Sequence, residues 1–285
     1  MENNHYKRVI SYFSKKAAQY DLVDKQLYWS LSDQLLKKII DKKIVDNFLN
    51  SKELRIMDAG AGTGRWSLVL YDLFKKKKRQ VQLDLVDITQ PMLKEAEDKI
   101  RKRGLNKQIR TYVGNIEDLS GYKNNFYDII ISFYNVLSFA ENPKKILREA
   151  YKKLKNNGLY ACIVSNKYHS YFFNIITAKG SGLKEISDSS KVRFNKNMPS
   201  IHCFTPAGIR SLFEEVGLKN IEVMGFPNFI YPDIEETYLV GQSCRHQNIL
   251  KNKKIFSQIL RTEYKECFNS DSSARGNTLL VIGRK

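Results

Sequence analysis

Between Leu54 and Asn166, short apolar runs and helix-period segments take turns, and few folds accommodate that rhythm. The runs are "LRIMD" (54–58), "VQLDLVD" (81–87), "QIRTYVG" (108–114), "YDIIISFY" (127–134) and "LYACIVSN" (159–166). Each is too short for a buried helix and is bounded by turn residues or charge, so each reads as a strand. Between them, "RWSLVLYDLFKKKK", "PMLKEAEDKIRKRG" and "PKKILREAYKKLKNNG" repeat apolar residues at three and four. Pro91 and Pro143 stand at first turns, and Gly104 and Gly158 read as stops. Strands joined through helices pair in parallel, because a parallel pair needs a long crossover. The alternation therefore predicts an α/β fold with a doubly wound, mostly parallel sheet.

The flanks differ in texture. From Tyr6 to Phe48 the pattern predicts two amphipathic helices parted near "QYDLVDKQ". From Lys167 to Ser200 aromatics, glycines, serines and bases mix without period, which reads as an inserted cap. "TPAGIRSLFEEVGL" then predicts a helix with Thr205 as N-cap and Pro206 at its first position. "NIEVMGF" reads as a strand, helical segments are expected to fill much of 234–267, and "NTLLVIGR" closes as a strand. The expected organisation is an N-terminal helical lid (1–50), a core (51–166), a cap insertion (167–204), and a C-terminal half of the core with a helical insertion (205–285).

Composition narrows the setting. No window approaches a membrane-spanning run, and the polar, charged "MENNHYKRVISYFSKK" lacks a signal-peptide core, so a cytoplasmic location with no membrane partner is expected. Cys162, Cys203, Cys244 and Cys267 form no CxxC pair, which predicts reduced structural thiols and no metal site. The net charge of +18 invites a nucleic-acid reading. The excess is dominated by lysine, and its densest run, "KKKKRQ" from Lys75, sits at a helix end where cations suit the macrodipole. Nucleic acid is thus a possible but not the favoured partner.

The first strand runs into "DAGAGTGR", with Asp58 ahead of Gly60, Gly62 and Gly64. Strand, glycine loop and helix together offer backbone N–H groups to a ligand. A phosphate-binding P-loop needs a lysine after the glycines, and none follows. A dinucleotide fingerprint needs GxGxxG, but Arg65 holds its third glycine position. The segment resembles the first motif of class I S-adenosylmethionine-dependent methyltransferases, an acidic residue at the strand end followed by GxGxG. That family implies a Rossmann-like, seven-stranded sheet and S-adenosyl-L-methionine as cofactor. Its net positive charge suits the carboxylate of Asp58, which can orient the loop and favour the methionine ammonium.

The resemblance implies further roles. Asp87 ends the second strand, where a carboxylate can accept both ribose hydroxyls. Asp84, inside that strand, reads as structural. "VGNIEDLSGY" is similar to the third motif, with Asn115 in place of the usual aspartate; its amide suits an adenine edge and Ile116 can cover the ring. The end of the "PKKILREAYKKLKNNG" helix pattern, Leu154-Lys155-Asn156-Asn157-Gly158, carries one glycine where the family commonly shows two, and "TLLVIGRK" is similar to its antiparallel seventh strand. "FSKKAAQYD" resembles an element ahead of the core in small-molecule members, in which an N-terminal helix closes over the cofactor. Tyr20 then either points its hydroxyl to the methionine carboxylate or packs as a core tyrosine, and "YWSL" is either lid or packing.

Methyl transfer from a sulfonium needs alignment, and needs a base only if the acceptor holds its proton near neutral pH. Tyr134 after the fourth strand, His169 after the fifth and His202 ahead of the "FTPAG" helix are the candidate catalytic residues. Phe172, Phe173 and Phe194 either shape an acceptor pocket or pack the cap. The expectation is an enzyme that methylates N or O of a small molecule. The alternatives are an RNA or polypeptide methyltransferase using the basic surface, and a non-catalytic module that only binds the cofactor.

Overall fold

The computed structural model describes residues 4–178, 180–195, 197–232 and 248–285. Strands β1 (Glu53–Ala59), β2 (Gln80–Asp87), β3 (Ile109–Val113), β4 (Tyr127–Ser132) and β5 (Leu154–Asn166) pair in parallel in the order β3-β2-β1-β4-β5. β6 (Lys191–Val192) and β7 (Ile201–Phe204) form a small antiparallel pair, and β7 meets β5 at Ser165 and Asn166. β8 (Lys219–Phe226) and β9 (Thr278–Arg284) extend the sheet, with β9 lying antiparallel between β5 and β8. The series β3-β2-β1-β4-β5-β9-β8 is the Rossmann-like sheet expected from the sequence. Strand order reverses between β1 and β4, and crevices at such switch points are where open α/β sheets bind ligands.

Helices cover both faces, which is why the strands read as continuous apolar runs. Ile56, Ile129, Ile131, Ala161, Ile163 and Leu280 turn to one face, under α2 (Leu27–Lys43), α3 (Arg65–Lys76) and α4 (Gln90–Lys102). Their neighbours Met57, Ile130, Cys162, Val164 and Leu279 turn to the other, under α5 (Val136–Phe139), α6 (Pro143–Lys153) and, further along, α9 (Pro206–Glu215). Successive side chains alternate across the sheet, so one uninterrupted run feeds two cores.

α1 (Asn4–Ser14) and a 3-10 segment (Ala17–Lys25) precede α2 and lie over the strand tips. Val9 of α1 packs in one cluster with Phe139, Ile186, Val192, Met198 and Ile201. The region after β5, with α7 (Lys167–Ala178), α8 (Leu183–Ser189), β6 and β7, therefore shares its core with the N-terminal helix. Thr205 caps α9 as expected, its Oγ1 accepting from Gly208 N at 3.0 Å. α10 (Lys253–Glu266) falls within the expected 234–267 helical stretch, of which 234–247 lies outside the described residues.

Two boundaries differ from expectation. α6 stops at Lys153, not Gly158, because Lys153 is buried and its ammonium is held by Tyr122 O and Asn124 Oδ1, each at 2.8 Å. The chain then becomes β5, with Asn157 at φ 64°, and a Cβ on Gly158 would lie 2.8 Å from Lys155 O. β4 ends at Ser132, because Tyr134 and Asn135 take φ values of 57° and 67° and turn the chain off the sheet. Cys162, Cys203 and Cys267 are buried free thiols; Cys244 lies outside the described residues.

Candidate active site

The glycine loop leaves β1 at the switch point. Gly60, Gly62 and Gly64 all have positive φ, at 93°, 53° and 69°. Gly60 N and Ala61 N both donate to Val86 O, at 2.7 and 3.1 Å, which folds the loop back onto β2. A Cβ on Gly60 would stand 2.4 Å from Val136 Cγ1. Gly60 and Gly62 line a cavity of about 180 Å³, together with Asp58, Asp87, Asn115, Ile116, Tyr20 and Tyr134. Gly64 does not line it. Its Cβ would meet Ala96 Cβ at 3.0 Å and Leu85 Cδ2 at 3.1 Å, so this glycine lets α3 start close against α4.

Two carboxylates dominate the cavity wall. Asp87 Oδ2 accepts from Gly62 N at 2.8 Å and Oδ1 from Thr89 N at 2.7 Å. An ionised carboxylate has about four acceptor sites, so each oxygen keeps one for a ligand hydroxyl. Asp58 is 2% exposed, and Ser67 Oγ donates to it at 2.5 Å. Burial pushes its carboxyl up to about 7, against a smaller downward pull from Ser67. Burial also raises Asp87, and the Thr89 and Gly62 N–H groups offset part of the rise. Such a wall repels pyrophosphate. It suits a ligand that brings vicinal hydroxyls to Asp87 and a cation to Asp58, the donor set that S-adenosylmethionine presents. Asn115 Oδ1 accepts from Glu117 N at 3.0 Å, which orients the amide and leaves its NH₂ donors and one carbonyl lone pair for an adenine edge. Ile116, 8% exposed, adds an apolar side chain to the same wall. Asp84 takes the structural role expected of it, accepting from Tyr127 OH at 2.6 Å.

The N-terminal segment lines part of the cavity and is tied to the core by polar contacts that sequence reasoning missed. Asp21 Oδ1 accepts from Thr63 Oγ1 at 2.8 Å and its Oδ2 pairs with Lys99 Nζ at 2.5 Å. Asp33 of α2 pairs with Arg65 and accepts from Tyr134 OH. Tyr6 OH donates to Glu117, and Glu117 Oε1 accepts from Asn142 N at 2.8 Å. Asp21 belongs to the same "AAQYD" element as Tyr20 and was within reach of the motif; Asp33 and Glu117 carried no local signal.

A second cavity, of about 170 Å³, shares Phe13, Tyr20, Trp29, Tyr134 and Phe139 with the first. The cap supplies His169, Phe173, Phe194 and Met198 to its wall. Tyr134 thus stands between the two cavities; burial raises its hydroxyl, which stays protonated at neutral pH. Burial also pushes the Tyr20 hydroxyl up to about 12, with Arg65 pulling the other way. His169 is 3% exposed, and burial pushes it down to about 4. His202 corrects the sequence expectation. It lines neither cavity but sits on β7 opposite Lys191, and burial first and Lys191 second lower its basicity. Phe172 is 46% exposed and also lies outside the second cavity's wall. The lysine run is partly neutralised: Lys77 Nζ lies 3.1 Å from Asp46 and 3.7 Å from Asp41. Among the described residues no cluster of His, Cys, Asp and Glu could hold a metal ion, and no helix is long and apolar enough to cross a membrane.

A Rossmann-like sheet, a GxGxG loop at its switch point and acidic residues at the tips of β1 and β2 define a class I S-adenosylmethionine-dependent methyltransferase. The chain belongs to the ubiE/COQ5 methyltransferase family, whose model matches residues 1–229. It is similar to the ubiquinone/menaquinone biosynthesis C-methyltransferase UbiE of Rickettsia prowazekii, with 31% identity over 227 residues, 73% of this chain and 86% of that protein. The Rickettsia akari protein of the same name is 28% identical over 232 residues, 75% of this chain and 87% of that one. Among solved structures, a putative sarcosine dimethylglycine methyltransferase from Galdieria sulphuraria matches with a TM-score of 0.53 and 17% identity, covering 87% of this chain and 83% of that one. That likeness concerns the fold. The enzyme is an S-adenosylmethionine-dependent methyltransferase.

Proposed function

We propose that S-adenosylmethionine lies in the cavity at the β1 and β2 tips, and that a small ring-bearing acceptor lies in the adjoining one and takes the methyl group on carbon. The observation that carries this reading is the shared wall, since one set of residues borders both cavities and the two ligands would meet there. In this reading Asp87 holds the ribose hydroxyls and Asp58 faces the ammonium. Gly60 and Gly62 lie along the methionine and ribose portions. Asn115 and Ile116 take the adenine, and Tyr20 the methionine carboxylate. The cofactor supplies a methyl group already activated on a sulfonium. What the chain adds is alignment and the exclusion of water by residues 1–50 as lid and 167–204 as cap, over a core of 51–166 and 205–285.

The sequence suggested N or O as the acceptor atom. The names of the relatives, C-methyltransferases, support carbon instead. The aromatic lining of Phe13, Phe139, Phe173 and Phe194 supports an apolar, electron-rich ring over a polynucleotide or a peptide. The test is transfer of carbon-13 methyl label into fractionated cell extract, with RNase and protease controls. Label is expected in a low-mass, solvent-extractable product, with the new methyl resonance that of a carbon-bound group. Label in RNA or protein, or a methyl on N or O, would refute the proposal.

A further inference from the structure

His169 is the feature of the second cavity that packing does not explain. It is 3% exposed on α7, between the rings of Phe172, Phe173 and Tyr231. Neither Nδ1 nor Nε2 has a hydrogen-bond partner among the described residues, yet the side chain lines the cavity. Several other polar groups on that wall are engaged. Ser165 Oγ donates to Asn135 Oδ1 at 3.1 Å, Thr278 Oγ1 to Phe226 O at 3.0 Å and Lys16 Nζ to Tyr12 OH at 2.6 Å. A buried polar group without a partner costs stability, so a histidine that only filled space would be better replaced by an apolar ring. Unsatisfied polar groups that persist in a native structure call for another explanation.

Resting on the acceptor-cavity reading above, we propose that His169 is a catalytic residue that accepts a hydrogen bond, and then the proton, from a ring hydroxyl of the acceptor. The environment fits a hydroxyl better than an ion. Burial keeps the imidazole neutral, and a neutral ring has one nitrogen free to accept. A carboxylate would gain only the other nitrogen's weaker N–H donor, and an ammonium would be desolvated among phenylalanines. A low basicity is no obstacle, because the hydroxyl becomes strongly acidic as the ring attacks. The ring carbon forms its bond to the methyl, the sulfonium's C–S bond breaks, and the electron pair leaves with sulfur as a neutral thioether. The hydroxyl proton passes to His169 and the oxygen becomes a carbonyl. The ring then loses its C–H proton to water and regains the hydroxyl proton from His169, for a net release of one proton.

The experiment uses the full chain with S-adenosylhomocysteine and two probes, 2-naphthol and 2-methoxynaphthalene, titrated by calorimetry. The wild type is expected to bind the naphthol about tenfold more tightly than the ether, the scale of one hydrogen bond. His169→Phe should erase that preference and leave the ether's affinity unchanged, with a melting temperature at or above the wild type's. His169→Gln, which keeps an acceptor, should restore part of the preference. In wild-type protein with labelled imidazole, the His169 nitrogen resonance should move with the naphthol and not with the ether. Equal wild-type affinities, or a preference that survives His169→Phe, would overturn the role of His169 while leaving the acceptor cavity in place. Binding of neither probe would overturn both.

Discussion

Asp87→Ala is the substitution on which the cofactor assignment turns. The carboxylate spends one lone pair on Gly62 N and one on Thr89 N, leaving one per oxygen for the ribose. Hydrogen bonds to a charged group contribute about 1.5–3 kcal/mol each. Losing both ribose contacts would cost about 3–6 kcal/mol, a weakening of about two to four orders of magnitude. Part of that is offset by water entering the vacated space, so a loss of at least about a hundredfold is the firm expectation. The variant also frees Gly62 N and Thr89 N, and the loop is then expected to melt somewhat earlier even without ligand. Calorimetric titration with S-adenosylhomocysteine, beside a thermal melt of the ligand-free protein, separates the two effects. Affinity within threefold of wild type would refute the reasoning. So would an affinity loss that matches nothing more than the fraction unfolded.

Asp58 predicts a pH dependence with a definite sign: its folded value, near 7, lies above the unfolded one, so the native state binds the extra proton, and its contribution to ligand-free stability falls as pH rises from about 4 through about 7. A bound cation reverses the preference, so cofactor affinity should rise over the same window and level off above it; calorimetry at pH 5.5 and 8 checks this, and Asp58→Asn should flatten the slope. Asp33→Ala strips the carboxylate from Arg65 and Tyr134, both largely buried; the cost should approach the about 3–5 kcal/mol of a buried pair broken on one side, and cofactor dissociation should quicken in stopped-flow traces. Gly60→Ala places a methyl 2.4 Å from Val136 at φ 93°, and overpacking of about 1–3 kcal/mol plus backbone strain should appear as a lower denaturant midpoint; an unchanged midpoint would contradict the described loop.

What the sequence disclosed was what neighbouring residues encode. β1, β2 and the glycine loop are written in consecutive letters, and Asp58 and Asp87 follow from their places at strand ends. The end of α6 was misread because "NNG" suits a helix stop as well as a turn inside an extended chain, and the buried Lys153 that decides between them is anchored by residues about thirty positions away. Tyr134 and Asn135 carry no glycine to announce their left-handed turn. His169 and His202 looked alike as loop histidines. Only the pairing of β6 with β7 and the placing of α7 over the second cavity separate them. Asp33 and Glu117 were invisible because their partners lie 25 to 111 residues away.

The acids of the N-terminal segment grip Thr63 and Arg65, the residues on either side of Gly64. With the cofactor seated against the loop as proposed, ligand and latch would be held by one stretch of backbone, and exchange of spent for fresh cofactor would require that grip to be released in every cycle. The pacemaker of turnover would then be departure of the thioether product instead of bond making. An enzyme paced in this way gives a burst of one methylated product per chain before settling to its steady rate. Solvent viscosity slows that steady rate and leaves the burst untouched.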